Sequence, residues 1–193
     1  LVNDLKDVKI SEEFSKRFGD SKIIALMPGS RRYDIDFHLE ILIGAAKLLR
    51  EKNYFRPVFS IATGLNQDLA EKLKKRIKES GFEFWDGEGR ELMSASLAVA
   101  GVSGTVAVEA MLLNRFMVVI YNMKKLNYAI LKRLVHVKNI SVPNLLTQTE
   151  VYPELLCSEA TPENIVSELE KYLNDPERKK FIDESLREGV KLM

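Results

Sequence analysis

Cysteine is nearly absent: Cys157 is the only one in 193 residues. A lone thiol excludes an internal disulfide and fits a reducing compartment. Histidine is almost as scarce. His38 and His136 have no partner ligands at metal-binding spacing, which argues against zinc. No apolar run reaches membrane-spanning length, and no secretory leader is visible. Charge of one sign is not in excess: 29 Lys and Arg against 28 Asp and Glu leave a formal net charge of +1. That balance gives no footprint of nucleic-acid binding. Neither a GxGxxG fingerprint nor a P-loop lysine motif is present, and there is no repeat, low-complexity segment or internal linker. What remains, 46% hydrophobic and 30% charged residues, is the composition of a soluble globular domain with one well-buried core.

Short apolar runs alternate with longer amphipathic ones. Strands are predicted at 22–27, 56–62, 82–85, 97–101 and 116–121, rich in β-branched or aromatic residues and mostly ending in Gly, Pro, Ser or Asn. Between them, Ile35, Leu39, Leu42, Ala46 and Leu49 form one apolar stripe of a helix over 34–52. Leu69, Leu73 and Ile77 give a narrower stripe over 67–80, and helices are also predicted at 105–113 and 124–135. Thr161 caps a helix with Pro162 at its first position and Ile165, Val166, Leu169 and Leu173 inward. Asn174, Asp175 and Pro176 end it and begin a last, highly charged helix. The alternation predicts an α/β fold: a Rossmann-like parallel sheet with helices on both faces. Residues 1–10 show no period and are expected to be a linker remnant, leaving 11–193 as one domain.

Ligands of such sheets bind beyond the carboxyl ends of the strands, where helix N-termini point. Two loops fall there. In Pro28-Gly29-Ser30-Arg31-Arg32, Gly29 admits close backbone approach, Ser30 can donate a hydrogen bond and Arg31 offers a planar fork to phosphate oxygens. A plain turn accounts for the same residues. In Ser103-Gly104-Thr105, small residues bring amides and hydroxyls to a helix start, and Glu109 lies one turn deeper on the same face. An anion at the helix tip with sugar hydroxyls at the acid would suit a nucleotide; a capped helix with Glu109 in a salt bridge would suit the sequence too. A third stretch, 142–156, reads as loop, with Asn144 and Glu154 as polar candidates.

Other features read more simply. Trp85 is packing, and Cys157 is a small core or near-site residue rather than a nucleophile. No acidic residue lies between Glu109 and Glu150, while Arg115, Lys124, Lys125, Lys132, Arg133 and Lys138 do, a local positive field suited to an anionic partner or a solvated helix face. Within it, 122–138 is basic and amphipathic. It is read as a helix packed on the sheet, with contact to a lipid surface as the other reading.

ALMPGSRRYDI (25–35), GREL (89–92), SGTVAVEAM (103–111), MVVIYNMK (117–124), VPNLL (142–146) and PELL (153–156) occur together in an order and spacing that resemble the lipid-A-disaccharide synthases, glycosyltransferases of two-domain GT-B architecture. The resemblance runs to about residue 175. It implies the carboxyl-terminal, UDP-sugar-binding half of such an enzyme. The opening LVNDL, which lacks a methionine, resembles the stretch just after the family's interdomain Gly-His-Pro, and the family usually continues past the point where this chain stops. The implied reaction transfers 2,3-diacylglucosamine from its UDP-linked form to 2,3-diacylglucosamine 1-phosphate, releasing UDP, with inversion and without a metal or other cofactor. The implied setting is cytoplasmic and peripheral to the inner membrane.

By position, the resemblance makes Gly29, Ser30 and Arg31 a phosphate or donor contact. It makes Ser103, Gly104 and Thr105 the diphosphate loop, Glu109 the ribose-binding acid and Asn144 a side chain of the active cleft. The base acting on the acceptor is expected in the amino-terminal half, so no catalytic residue is assigned here. Three positions depart from the family pattern. Asp34 stands for a glutamate and can still cap or pair with Arg31; Cys157 replaces a glutamine, removing an amide from the site's edge; Phe116 replaces a proline. Two other classes compete. A UDP-sugar epimerase half of the same architecture needs carboxylates and a histidine around the sugar, and His38 and His136 do not fall in loops. A stand-alone nucleotide-binding or interaction module needs neither.

Overall fold

A computed structural model describes residues 8–52, 55–121 and 139–193. The predicted helix at 124–135, the basic segment 122–138 with His136, and most of the expected linker remnant lie outside the described residues.

Six strands, β1 (Ile23–Met27), β2 (Arg56–Ser60), β3 (Glu83–Trp85), β4 (Ala98–Val102), β5 (Met117–Tyr121) and β6 (Glu154–Leu156), form one sheet in the order β3-β2-β1-β4-β5-β6. Every neighbouring pair is parallel. The central strands are buried along their length, which is why they read as continuous apolar runs instead of alternating ones. Between β1 and β4 the strand order reverses direction. Parallel strands cross over with one hand, so α2 (Arg32–Glu51), which leads from β1 out to β2, and α5 (Thr105–Leu112), which leads from β4 out to β5, cover opposite faces. The crevice above the reversal lies where the loops after β1 and β4 part.

Helix α2 has its inner face as the spacing requires: Ile35, Leu39, Leu42, Ile43, Ala46 and Leu49 are all buried. It begins at Arg32, two residues before the predicted start, and this brings the helix N-terminus right up to the Gly-Ser-Arg loop. The remaining α-helices among the described residues are α1 (Glu12–Phe18), α3 (Gln67–Glu79), α4 (Gly89–Ala95), α6 (Val142–Thr147), α7 (Pro162–Asn174) and α8 (Pro176–Lys191), with a 3-10 turn at Cys157–Glu159. Thr161 caps α7 through a bond from the Asn164 amide, and Asp175 caps α8 through bonds from the Glu177 and Arg178 amides. Helix α7 packs on α2, α8 packs on α5 and α6, and the two touch each other, so this C-terminal pair ties both faces of the sheet together.

Four of these elements, α1, α4, α6 and β6, are not predicted by the sequence pattern. Ser11 caps α1, whose Phe14 and Phe18 pack on Trp85 with ring centroids 5.0 and 6.1 Å away. Trp85 is thus a packing residue, although its buried indole N–H has no hydrogen-bond partner among the described residues. Glu91, buried in α4, accepts the Ser11 amide at 2.6 Å and anchors the start of α1. The loop predicted at 142–156 instead holds α6 and β6. Phe116, at the position of the family's proline, is fully buried and stacks on Tyr172 at 4.1 Å with an interplanar angle of 10°.

Candidate functional site at the strand-order reversal

The register of β1 on β4 pairs Met27 with Gly101, so the two strands run out of the sheet at the same level. They must also lie close: a Cβ on Gly101 would meet the Met27 carbonyl oxygen at 2.6 Å. Above them opens a cleft of about 620 Å³. Gly29, Ser30 and Arg31 line it from β1, and Ser103, Gly104, Thr105 and Glu109 line it from β4 and α5. That volume is in the range of small-ligand sites.

The β1 loop is held open by its glycine. Gly29 has φ 109°, a conformation that side chains rarely adopt, and a Cβ there would lie 2.7 Å from the Asp34 Cβ. Asp34 therefore packs over Gly29. It neither caps α2 nor pairs with Arg31, as its position had allowed. The first amide of α2 with a backbone acceptor is that of Ile35, bonded to the Arg31 carbonyl at 3.1 Å, so the amides before it point out of the helix end unpaired by backbone. The Arg31 guanidinium has no hydrogen bond or ion pair among the described residues and lies in the cleft lining.

The β4 loop repeats the arrangement. Gly104 is the residue before α5, and the first amide satisfied there is that of Ala107, bonded to the Gly104 carbonyl at 3.2 Å. Two helix ends with unpaired donors thus border one cleft, and each carries a partial positive charge. An anion lying between them meets both.

Glu109 sits one turn into α5 and reaches the same cleft. Its Oε1 accepts from Arg90 Nη2 at 2.9 Å and from Arg90 Nε at 3.2 Å. The salt bridge that the sequence had allowed for Glu109 is therefore present, and it lies inside the cleft lining. Arg90, Ser60, Thr63, Gly64 and Glu88 also line the cleft and had not been singled out. Ser60 ends β2 and Thr63 and Gly64 follow it, so the strand-end rule that picked the other loops points to them as well. Arg90 lies in the GREL segment (89–92), one of the stretches that carry the family resemblance.

Asn144 is not brought to the cleft. It is fully buried: its Nδ2 donates to the Tyr152 carbonyl at 2.7 Å and to Glu154 Oε1 at 2.8 Å, and its Oδ1 accepts the Tyr152 amide at 2.9 Å. Glu154 in turn accepts the Ile140 and Ser141 amides, both at 2.8 Å, and so fixes the backbone that leads into α6 and sets a carboxylate beside its N-terminus. Nearby, burial pushes the Tyr121 hydroxyl up to about 12, so it stays protonated.

His38 lies on α2 one turn beyond Asp34 and is buried among the core residues. Cys157 is half-buried with φ 49° at the end of β6. Among the described residues no group of three or more His, Cys, Asp or Glu is placed to hold a metal ion, and no helix is long and apolar enough to cross a membrane.

Known proteins resemble the chain at two levels, fold and sequence. In fold, the chain is similar to the S. aureus MnaA–UDP co-structure, with TM-score 0.61 and 12% identity over 95% of this chain and 44% of that one. It is also similar to WaaG, a glycosyltransferase involved in lipopolysaccharide biosynthesis, with TM-score 0.59 and 14% identity over 98% of this chain and 50% of that one. Identities this low show the shared fold alone. In sequence, the chain is 35% identical over 166 residues to the lipid-A-disaccharide synthase of Alkalilimnicola ehrlichii, covering 85% of this chain and 44% of that protein. The chain spans less than half the length of the curated relatives it matches. The family model for lipid-A-disaccharide synthetase matches residues 2–191, and the chain belongs to that family.

Proposed function

We propose that this chain is the nucleotide-sugar half of a lipid-A-disaccharide synthase and that its cleft holds the donor, UDP-linked 2,3-diacylglucosamine. The observation that carries this reading is the convergence of two unpaired helix N-termini, the unpaired Arg31 guanidinium and the Glu109 carboxylate on one cleft. The diphosphate lies between the amides after Gly29 and those after Gly104, with Arg31 on its oxygens. The ribose diol reaches Glu109, and the space bordered by Thr63, Gly64 and Glu88 receives the base.

In the transfer, a hydroxyl of the acceptor 2,3-diacylglucosamine 1-phosphate attacks the anomeric carbon as its bond to the diphosphate breaks. Negative charge then grows on the departing UDP. Arg31 and the two helix ends stabilise that charge more than they stabilise the bound donor, which lowers the barrier. The base that takes the acceptor's proton is assigned to the rest of the polypeptide, so this chain binds the donor and does not turn over alone. Asn144 contributes by fixing β6 and α6. The acylated substrates place the whole protein at the cytoplasmic face of the inner membrane as a peripheral enzyme. The epimerase reading rests on fold likeness at 14–17% identity, whereas the sequence match is to the synthases.

Calorimetric titration with UDP tests the site: saturable binding, stronger than that of UMP, is expected. Assay of the whole gene product for UDP release in the presence of the lipid acceptor tests the reaction. Absence of UDP binding overturns the assignment of the cleft. Binding without acceptor-dependent UDP release from the whole protein overturns the reaction.

A further inference from the structure

Arg90 and Glu109 make an asymmetric pair. Both guanidinium contacts, Nη2 at 2.9 Å and Nε at 3.2 Å, fall on Oε1, and Oε2 has no partner among the described residues. A fork-to-fork pair would occupy both oxygens. Here the carboxylate is tethered by one oxygen while the other is left as an acceptor, and both residues line the cleft. The side chains are 42% and 25% exposed, so the pair is open to a ligand on one side.

The need for such a tether follows from the cleft's charge. Glu109 stands one turn below a helix end that would hold a diphosphate, and an unpaired carboxylate there repels that anion. A neutral residue in its place would accept a sugar hydroxyl less well. A cation on the far oxygen offsets the repulsion, fixes the rotamer and leaves an anionic acceptor facing the ligand. Arg90 is placed to do this by α4, which is anchored beneath it by buried Leu92 and by the Glu91 bond to Ser11. Resting on the nucleotide reading above, we infer that Arg90 is a positioning residue: it orients Glu109 so that Oε2 selects a ribose over a deoxyribose nucleotide.

The test compares UDP with its 2′-deoxy and 3′-deoxy analogues on the protein and on Arg90→Ala, Arg90→Gln, Arg90→Lys, Glu109→Gln and the double variant Arg90→Ala/Glu109→Gln. The unaltered protein is expected to prefer UDP over at least one deoxy analogue by about tenfold, the equivalent of one good hydrogen bond to a charged acceptor. In Arg90→Ala and Arg90→Gln that preference drops below about threefold through weaker UDP binding, while the disfavoured analogue loses little. Arg90→Lys keeps an intermediate preference, and removing Arg90 in the Glu109→Gln background changes UDP affinity less than about twofold.

Equal loss for all three nucleotides means that Arg90 contacts the phosphates or the fold, and overturns the inference. So does an unchanged preference in Arg90→Ala and Arg90→Gln. If the unaltered protein binds UDP but does not distinguish the sugars, the ribose role of Glu109 falls and the inference with it. If UDP does not bind, the nucleotide reading itself falls. Arg90→Gln and Arg90→Lys, which keep the side-chain stem, carry the test if Arg90→Ala does not fold.

Discussion

Asn144 holds Tyr152 by both of its backbone groups, donating to the carbonyl at 2.7 Å and accepting the amide at 2.9 Å. This is the pairing that a neighbouring strand would make, supplied by one side chain. It brings the chain into β6, and the same Nδ2 also reaches Glu154, which holds the Ile140 and Ser141 amides just before α6. The Val-Pro-Asn and Pro-Glu-Leu-Leu segments are therefore one structural unit, in which the asparagine and the glutamate satisfy each other's surroundings.

Replacing Asn144 by Ala should leave the buried Tyr152 amide and carbonyl unpaired. The expected cost is roughly 2–4 kcal/mol, which for a chain of this size lowers the melting temperature by about 5–10 °C. Because Asn144 does not line the cleft, UDP affinity measured on the folded variant at low temperature should change less than about threefold. Thermal melts followed by circular dichroism, with a titration at 10 °C, check both halves. A large loss of affinity with an unchanged melt would return Asn144 to the ligand.

Arg31 predicts the opposite pattern. Its guanidinium has no partner among the described residues, so Arg31→Ala should leave the melting temperature nearly unmoved. Losing a charged donor to phosphate costs about 1.5–3 kcal/mol of binding, a roughly 10- to 100-fold weaker UDP affinity. The unaltered protein should also lose affinity with added salt more steeply than the variant, since one partly screened charge pair is gone.

Gly29 should tolerate no side chain. An alanine there combines a strained φ of 109° with a Cβ 2.7 Å from the Asp34 Cβ. Strain of this kind costs roughly 1–3 kcal/mol, and relieving it shifts the loop or Asp34, both of which line the cleft. Gly29→Ala is expected to lower both stability and UDP affinity. Adding Asp34→Gly removes the clash but not the φ penalty, so it should restore part of the stability. Full restoration would show that the backbone conformation carries no strain.

The sheet was legible because its four five-residue strands, β1, β2, β4 and β5, are buried along most of their length and so appear in the sequence as largely apolar runs between amphipathic stretches, while the short β3 was marked by Phe82, Phe84 and Trp85. The cleft loops were legible for the same reason: once β1 and β4 are placed, the residues after them must lie at the strand-order reversal. Helix α6 and strand β6 were not, since six and three residues carry no measurable period, and β6 is only partly buried. Helix α1 was missed although Ser11 followed by two glutamates and the Phe14–Phe18 spacing signal a capped helix. The contact between Arg90 and Glu109 spans 19 positions, so no local pattern announces it. Asn144 shows the converse limit: a motif marks a residue as needed without saying whether the need is for ligand or for fold.

His38 yields a prediction in pH. A carbonyl only accepts, so the 2.7 Å contact with the Asp34 carbonyl puts the imidazole proton on Nδ1. Nε2 is buried without a partner, and charging the ring would place a second N–H there with no acceptor. Burial accordingly lowers the His38 pKa below its ordinary 6.5, against the raising effect of the Asp34 carbonyl. Above pH 6.5 both folded and unfolded chains hold a neutral ring. Below it the unfolded chain binds a proton that the folded chain refuses, so the stability contributed by neutral His38 is lost as pH falls through the folded value. Melting temperature should therefore decline between pH 7 and 5, and the His38→Gln profile should be flatter across that window. Carboxylates titrate in both proteins at lower pH, so the difference between the two curves isolates the histidine. Parallel curves would mean that His38 takes up its proton in the folded state as readily as in the unfolded one, and that a partner or water reaches Nε2.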